Sequence, residues 1–301
     1  MHIRVGYDIV YDCPAPTPIF LLLSVRPERF PDLVTPQVMS VEPAVPVHRF
    51  RDAFGNVADR LVAPAGPVRF SADFIVDDSG APDPVCKDAI EHPIADLPDE
   101  VLTFLLPSRY CDVDRLSEFA WSQFGASLRG WDLVQAICDY THERIEFGYH
   151  HARATRTAFE AHDERIGVCR DFAHLAITLC RCMHIPARYC TGYLPDIGVE
   201  AHDAMDFSAW FEVWLGGAWR TFDARHNTPR IGRIVMAHGR DAVDAAISTS
   251  FGQTGLSRFV IIAEQVGEPA GSGGPPPAAD QSRQVSSAEP RLAVSGASQG
   301  S

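Results

Sequence analysis

The sequence predicts an α+β fold, with an antiparallel β-sandwich first and a core of helices and strands after it. Apolar side chains alternate with polar ones from the first residues of the chain, at Ile3, Val5, Tyr7, Ile9 and Tyr11. This period of two is typical of strands with one buried face. Helical spacing of apolar residues begins only after residue 98. A run of strands followed by helical patterns favours the α+β class.

Composition along the chain predicts four segments. Apolar stretches at Phe20–Val25 and Val68–Val76, separated by turn residues, place the sandwich in residues 1–80. Residues 81–97 are polar and contain proline, as a linker would, and residues 98–267 form the predicted core. Residues 268–301 consist mainly of Gly, Pro, Ser, Ala and Gln, and we expect this tail to be disordered.

Charge and hydropathy exclude several classes of partner. The 301-residue chain has a net charge of −13, so we expect no nucleic-acid partner. Its longest apolar run, residues 19–25, is too short to cross a bilayer, so we expect no membrane partner. No charged and then apolar leader opens the sequence, which predicts a cytoplasmic protein whose eight cysteines are reduced. The sequence does not indicate an oligomeric state.

We expect no metal and no cofactor. Cys180 and Cys182 lie two apart on a predicted helix and point about 200° away from each other, so they cannot share one ion. Asp196 and Gly198 lack the remaining oxygen ligands of a calcium loop.

Cys169 is the candidate nucleophile. It follows Gly167 and opens a predicted helix that runs to about His184. The positive end of the helix dipole and the unpaired N–H groups of its first turn favour a thiolate, the form that attacks a carbonyl. A lone cysteine at a helix start is more often a small core residue, so this position alone does not establish a function.

The surrounding sequence resembles the transglutaminase-like superfamily, the papain-related thiol enzymes. The stretches "GVCRDFAHLAITLCRCMHIPARYCTGYL" and "SAWFEVWLGGAWRTFDARHN" carry the resemblance, which covers about residues 130 to 252. The matching positions are Cys169, Ile185-Pro-Ala-Arg-Tyr189, Ala209-Trp210, Trp219 and Asp223. The resemblance implies a papain-like transglutaminase core and acyl transfer on a peptide or protein substrate that carries an amide. It also implies that Cys169 is the nucleophile and that Asp223 is the acid that orients a histidine base.

The family's base position is occupied by Ser208, on a predicted strand 207–215 beside a second strand, 218–224. Serine cannot act as a general base near neutral pH. We expect its neighbours Asp206, Phe207 and Ala209 not to titrate near pH 7 either.

Other histidines could replace the base. His226 lies three residues past Asp223, where the loop could turn back to the site, and His202 lies in a flexible stretch before the strand. His174 is about 140° round the helix from Cys169, which points it elsewhere, and His150 and His151 cannot be placed.

Two functions remain open at this point. The first is a thiol acyl-transferase or hydrolase, which would be an amidase or protease in its hydrolytic form. Cys169 would be its nucleophile, Asp223 its orienting acid and a relocated histidine its base, with His226 as the leading candidate. The second is a catalytically degenerate core that binds peptide or protein, which the serine at position 208 favours.

Overall fold

The structure is a computed structural model that describes residues 1–126, 128–200 and 205–267. The predicted tail, residues 268–301, lies outside the described residues, and so does His202. In the described part of the chain, no helix combines the length and the apolar character that crossing a membrane requires.

An antiparallel β-sandwich is present in the N-terminal part of the chain, as predicted. Its first sheet has the strand order β14-β1-β6-β3, and its second sheet has the order β13-β2-β5-β4. Six of these strands come from the first 80 residues: β1 His2–Cys13, β2 Thr17–Leu21, β3 Ser40–Glu42, β4 His48–Arg51, β5 Val57–Ala63 and β6 Gly66–Asp77. Their inward-facing apolar side chains form one buried cluster, as the period-2 pattern requires.

The last two strands of the sandwich come from the other end of the described chain. β13 (Ser248–Ser250) pairs with β2, and β14 (Gly255–Val266) pairs with β1 along almost its whole length. The sequence pattern predicts these residues as part of the core, within 98–267. The difference arises because antiparallel pairing joins segments that are far apart in sequence, and a strand's own pattern does not name its partner.

The core packs helices against one face of a four-stranded sheet of order β11-β10-β9-β12. Its strands are β9 Ala187–Tyr193, β10 Ser208–Leu215, β11 Ala218–Phe222 and β12 Ile234–Gly239, and a short parallel pair joins β7 Glu146–Phe147 to β8 Ile166–Gly167. The helices are α1 Asp99–Leu102, α2 Val113–Phe124, α3 Gly130–Arg144, α4 Ala158–Glu164 and α5 Cys169–Cys182. Every residue of α5 is buried, so this helix is the centre of the core.

The predicted core elements exist, with shorter ends. α5 stops at Cys182 rather than His184, because His184 takes a left-handed backbone conformation with φ 63°. β11 stops at Phe222, and Asp223 begins a tight turn instead of extending the strand to residue 224. This early stop determines where the acid of the site points.

The second face of the core sheet packs on the sandwich. Tyr193 lies edge-on to Phe74 of the sandwich, with ring centroids 6.3 Å apart. Phe207, just before β10, packs against Tyr193 at 5.1 Å and against Phe259 of β14 at 5.9 Å. The sandwich therefore fixes the beginning of β10, where Ser208 lies.

Removing β13 and β14 should destabilise the whole protein, because it would expose the backbone edge of β1 and the apolar cluster beneath it. A chain that ends at residue 247 should lose about 10 °C or more in Tm, or fail to fold. A chain that ends at residue 267 is the matched control and should keep the Tm of the full chain. Equal melting temperatures for the two truncated chains would show that the C-terminal strands are not part of the sandwich.

Candidate active site

Cys169 is the first residue of α5 and is 4% exposed. Asp171, in the first turn, accepts a hydrogen bond from the Val168 backbone N–H at 2.9 Å. It also forms an ion pair with the buried Arg156 at 3.0 Å. These contacts hold the chain as it enters the helix. Their effect is to fix the position of the thiol at the helix start.

The thiol is not poised as a thiolate in the free protein, contrary to the expectation from its position on the helix. Burial raises the pKa of Cys169 to about 11. The nearby charge of Arg225 and a hydrogen bond from the Ala209 backbone oppose this rise, while Asp206 adds to it. Desolvation of a charge outweighs the helix terminus here, so attack on a carbonyl requires a base.

Asp223 lies at the end of β11 with four hydrogen bonds to its carboxylate. Oδ1 accepts from the backbone N–H groups of Arg225 and His226, each at 3.0 Å. Oδ2 accepts from the guanidinium of Arg233 at 2.8 Å and contacts His226 Nδ1 at 2.9 Å. The turn that follows the strand therefore folds His226 back onto the acid.

The ionisation of Asp223 determines the tautomer of His226. Burial alone would raise the pKa of Asp223, but the charge of Arg233 and the hydrogen bonds from His226 hold it well below its usual range. An ionised carboxylate can only accept hydrogen bonds, so Nδ1 of His226 carries the proton. Nε2 is then the nitrogen that can accept a proton, as in a thiol–imidazole–carboxylate site.

Helix α3 holds the turn from the other side. His142 contacts the carbonyl oxygens of Ala224 and Arg225 at 3.2 and 2.9 Å, and Gln135 donates to the side chain of Asn227 at 2.9 Å. Asn227 has φ 51° and donates its backbone N–H to the Asp223 carbonyl at 2.8 Å. The position of His226 is thus fixed by the turn and by the helix behind it.

The three predicted residues and the relocated histidine meet around one cleft. Cys169, Ser208 and His226 line it together, and Asp223 lies directly behind His226. We refer to this space as the Cys169 cleft, and its lining residues are Tyr149, Cys169, Leu194, Asp196, Met205, Asp206, Phe207, Ser208, Arg225, His226 and Arg230. The structure therefore brings together all four residues that the sequence analysis selected.

Asp206 is a site residue that the sequence analysis missed. Burial raises its pKa to about 7, against weaker opposing effects from the Phe207 backbone N–H and Arg225. The expectation that no neighbour of Ser208 titrates near pH 7 was therefore wrong. In the sequence, only the apolar neighbours Met205 and Phe207 indicated that Asp206 would be buried.

The remaining histidines that the structure describes do not reach the cleft. His174 is buried between Tyr110 and Tyr189. Its Nε2 accepts a hydrogen bond from the backbone N–H of Ala242 at 3.1 Å. His150 and His151 lie in a short turn, Tyr149–His151, with their rings 3.9 Å apart and tilted by 49°.

Cys169 also borders a second, apolar cleft. Its lining residues other than Cys169, Phe207 and Ser208 are Arg170, Tyr189, Thr191, Ala209, Ala242, Ala245, Ala246 and Ile247. A wider cavity of about 320 Å³ opens beyond Asp223, but neither Cys169 nor His226 lines it. The thiol therefore borders two clefts, one polar and one apolar.

One group of side chains with metal-binding atoms lies apart from the cleft, at Cys190, Glu212 and His238, whose ligand atoms are within 4.8 Å of one another. Arg188 already forms an ion pair with the Glu212 carboxylate at 2.5 Å. Burial, together with the charges of Arg188 and Arg26, lowers the pKa of His238 well below its usual value. The same two positive charges disfavour a cation, and we interpret the group as an ion-pair cluster at the sandwich interface.

Comparisons with known proteins show that this chain is similar to one family of proteins. The family model described as the transglutaminase-like superfamily matches residues 122–224. A crystal structure of a candidate cysteine protease from Cytophaga hutchinsonii superimposes with a TM-score of 0.78 at 30% identity, covering 90% of this chain and 92% of that one. An uncharacterized protein of Mycobacterium leprae is 25% identical over 214 residues, 68% of this chain and 75% of that one. The periplasmic domain of TgpA from Pseudomonas aeruginosa superimposes with a TM-score of 0.38 at 16% identity, covering 72% and 75% of the two chains.

The two acids of the site should have opposite effects on stability. The pKa of Asp206 is raised in the folded protein, so burying it costs folding free energy that builds up from about pH 4 and reaches its full value above pH 7. Asp206→Asn should therefore raise the Tm at pH 8 more than at pH 4. Asp223→Asn should lower the Tm at pH 8, because it removes the partner of the buried Arg233. Thermal unfolding at the two pH values measures both effects, and a lower Tm for Asp206→Asn at pH 8 would contradict this account.

Proposed function

The chain belongs to the transglutaminase-like superfamily, and on that premise we propose that it is a cysteine-nucleophile amidase, protease or acyl-transferase acting on peptide or protein substrates. Cys169 is the nucleophile, His226 is the base, and Asp223 orients His226. One observation supports this assignment above the others. His226, in contact with Asp223 at 2.9 Å, lines the same cleft as Cys169, although Ser208 occupies the usual base position.

The proposed reaction has two halves. As the thiol sulfur of Cys169 bonds to the substrate carbonyl carbon, its proton passes to Nε2 of His226. The tetrahedral intermediate then expels the amine, which takes this proton from His226 and leaves a thioester on Cys169. Water or a second amine attacks the thioester, gives its proton to His226, and returns the sulfur to the thiol.

A protonated thiol in the resting protein fits this scheme. With a pKa of about 11, only about one thiol in 10⁴ is ionised at pH 7. Proton removal must therefore accompany the approach of the carbonyl, and Arg225, close to the sulfur, favours the charge that develops. The resting thiol should be a slow nucleophile toward small electrophiles that bring no hydrogen-bonding groups.

Ser208 leaves room for the relocated base. A histidine at position 208 would compete with His226 for the one carboxylate of Asp223. The serine side chain is short and its oxygen is buried in the cleft. Only one imidazole can then use the acid, and the turn provides it.

A second candidate function is a module that binds peptide or protein without chemistry. The raised pKa of Cys169 and the serine at position 208 favour it. Cytoplasmic location, predicted from the sequence, stays a proposal for either function.

The base assignment is tested by His226→Ala, with His48→Ala, an exposed histidine on β4 of the sandwich, as the matched control. Without a general acid, an amine leaves far more slowly than a phenolate does. The variant should lose about 10² to 10⁴ in kcat/KM on peptidyl 4-nitroanilides and clearly less on 4-nitrophenyl acetate. Cys169→Ser should abolish both activities. Equal losses on the anilide and the ester would contradict the role of His226 in protonating the leaving group.

The Ser208→His variant distinguishes a chain whose base has moved to His226 from a chain that has lost its base. In the wild-type background it should leave activity unchanged or lower it, because two imidazoles would compete for Asp223. In the His226→Ala background it should restore about 10-fold or more, because Asp223 is then free to orient the new ring. The measurement is the same anilide assay on all four proteins. A large gain in the wild-type background would mean that His226 is not the base and that the native chain is a degenerate member.

A further inference from the structure

Two buried oxygen atoms of the Cys169 cleft have no hydrogen-bond partner among the described residues. They are Ser208 Oγ and Asp206 Oδ1. Both residues line the cleft beside Cys169 and His226. Buried polar atoms are nearly always paired, so two unpaired acceptors on one wall of the cleft indicate a partner that the described residues do not supply.

The wall that carries these oxygens is held in place. Phe207, between them, packs against Tyr193 and Phe259. The Ser208 carbonyl accepts a hydrogen bond from Thr191 Oγ1 at 3.1 Å. Asp206 and Ser208 are two residues apart and line the same cleft, so one ligand group can contact both side chains.

No side chain of the described residues forms an ion pair with Asp206. Arg225, in the same cleft, lies 3.8 Å from the centre of the Phe147 ring and contacts Tyr149. Arg230 pairs with Asp196 and with the Pro195 carbonyl, both at 3.1 Å. Arg225 acts on Asp206 without forming an ion pair, so the carboxylate can still accept a positive charge from a ligand.

We propose that Asp206 and Ser208 form a subsite for a primary ammonium group of the substrate, next to the bond that Cys169 attacks. The inference rests on the proposed function, since it takes Cys169 as the reacting group. An ammonium has three donors and no acceptor, which matches two acceptors on one wall. A substrate carboxylate does not match, because it would add two more acceptors beside Asp206.

The ammonium could be the α-amino group of a residue beside the scissile bond or the side chain of a lysine. Two tether lengths distinguish these sources. The probes are N-(2-aminoethyl)chloroacetamide and N-(5-aminopentyl)chloroacetamide, each compared with its neutral N-acetyl form. Alkylation of Cys169 is followed by mass spectrometry of the intact protein, and each rate is divided by the rate with free cysteine. This readout does not depend on turnover of a substrate.

In the wild-type protein, one cationic probe should alkylate Cys169 about 10-fold faster than its neutral form, the usual effect of a charge-assisted hydrogen bond. Preference for the short tether would identify an α-amino group, and preference for the long one a lysine. Asp206→Asn, which keeps the shape of the side chain, should reduce this ratio to about 1. Ser208→Ala should reduce it by a smaller factor. Arg225→Ala is the control of opposite sign, since removing a positive charge from the cleft should raise the ratio.

The ratio should also rise between pH 6 and pH 8, as Asp206 ionises with a pKa of about 7. Other charged or titratable groups face the same cleft, namely Tyr149, Cys169, Asp196, Arg225, His226 and Arg230. Division by the rate of the neutral probe removes their effect on the thiol itself. A rise that persists in Asp206→Asn would contradict the proposal.

Two results would overturn the ammonium subsite. One is a ratio near 1 for both tethers in the wild-type protein. The other is an Asp206→Asn variant that slows the cationic and neutral probes equally, which would make Asp206 a proton carrier. Failure of the proposed function gives a different pattern, because His226→Ala would then leave anilide turnover unchanged whatever the probe ratio is.

Discussion

One buried, ionised carboxylate determines the arrangement of this site. Asp223 accepts two backbone N–H groups, the guanidinium of Arg233 and the imidazole of His226. Burying a charge is costly unless it is fully paired, and here every contact that repays the cost also places part of the site. Arg233 bridges Asp223 to Asp83 at 2.7 Å and lies over the ring of Trp210, so the acid is anchored to the linker segment and to β10. The backbone contacts shape the turn that returns His226.

In the proposed function, the same carboxylate explains how the base can change its place in the sequence while the chemistry is kept. A histidine at position 208 would approach Asp223 from the neighbouring strand. His226 approaches it from its own turn, three residues later. Either imidazole needs only one hydrogen bond to an ionised oxygen and access to the thiol. The position of the proton acceptor is therefore less constrained than the position of the acid.

Local patterns in the sequence predicted much of the fold and most of the site. The helix start at Cys169, the two strands that flank Gly216-Gly217 and the Asp-x-x-His spacing of residues 223–226 are all short-range features, and each was found. The features that were missed depend on distant residues. β14 belongs to the sandwich only because β1 offers an edge some 250 residues earlier, and Asp206 titrates near neutral pH only because the folded chain buries it. Burial also reversed the expectation for Cys169, since the helix terminus acts on a thiol that water cannot reach.

Burial has opposite consequences for the three ionisable groups of the site, and the difference lies in their partners. Asp223 is fully paired with positive charge and donors, so it stays ionised. For Asp206 only the weaker effects of the Phe207 backbone N–H and of Arg225 oppose burial, so it holds a proton near neutral pH, while the Cys169 thiol holds its proton well above it. Environments that separate the pKa values of neighbouring groups are how one site provides both an acid and a base.

A substrate that brings a positive charge to Asp206 would change this balance at the moment of binding. In molecules whose Asp206 is already ionised, the negative charge beside Cys169 would then be neutralised, and one of the causes that keep the thiol protonated would be removed. Recognition of the substrate and activation of the nucleophile would in that case be the same electrostatic event.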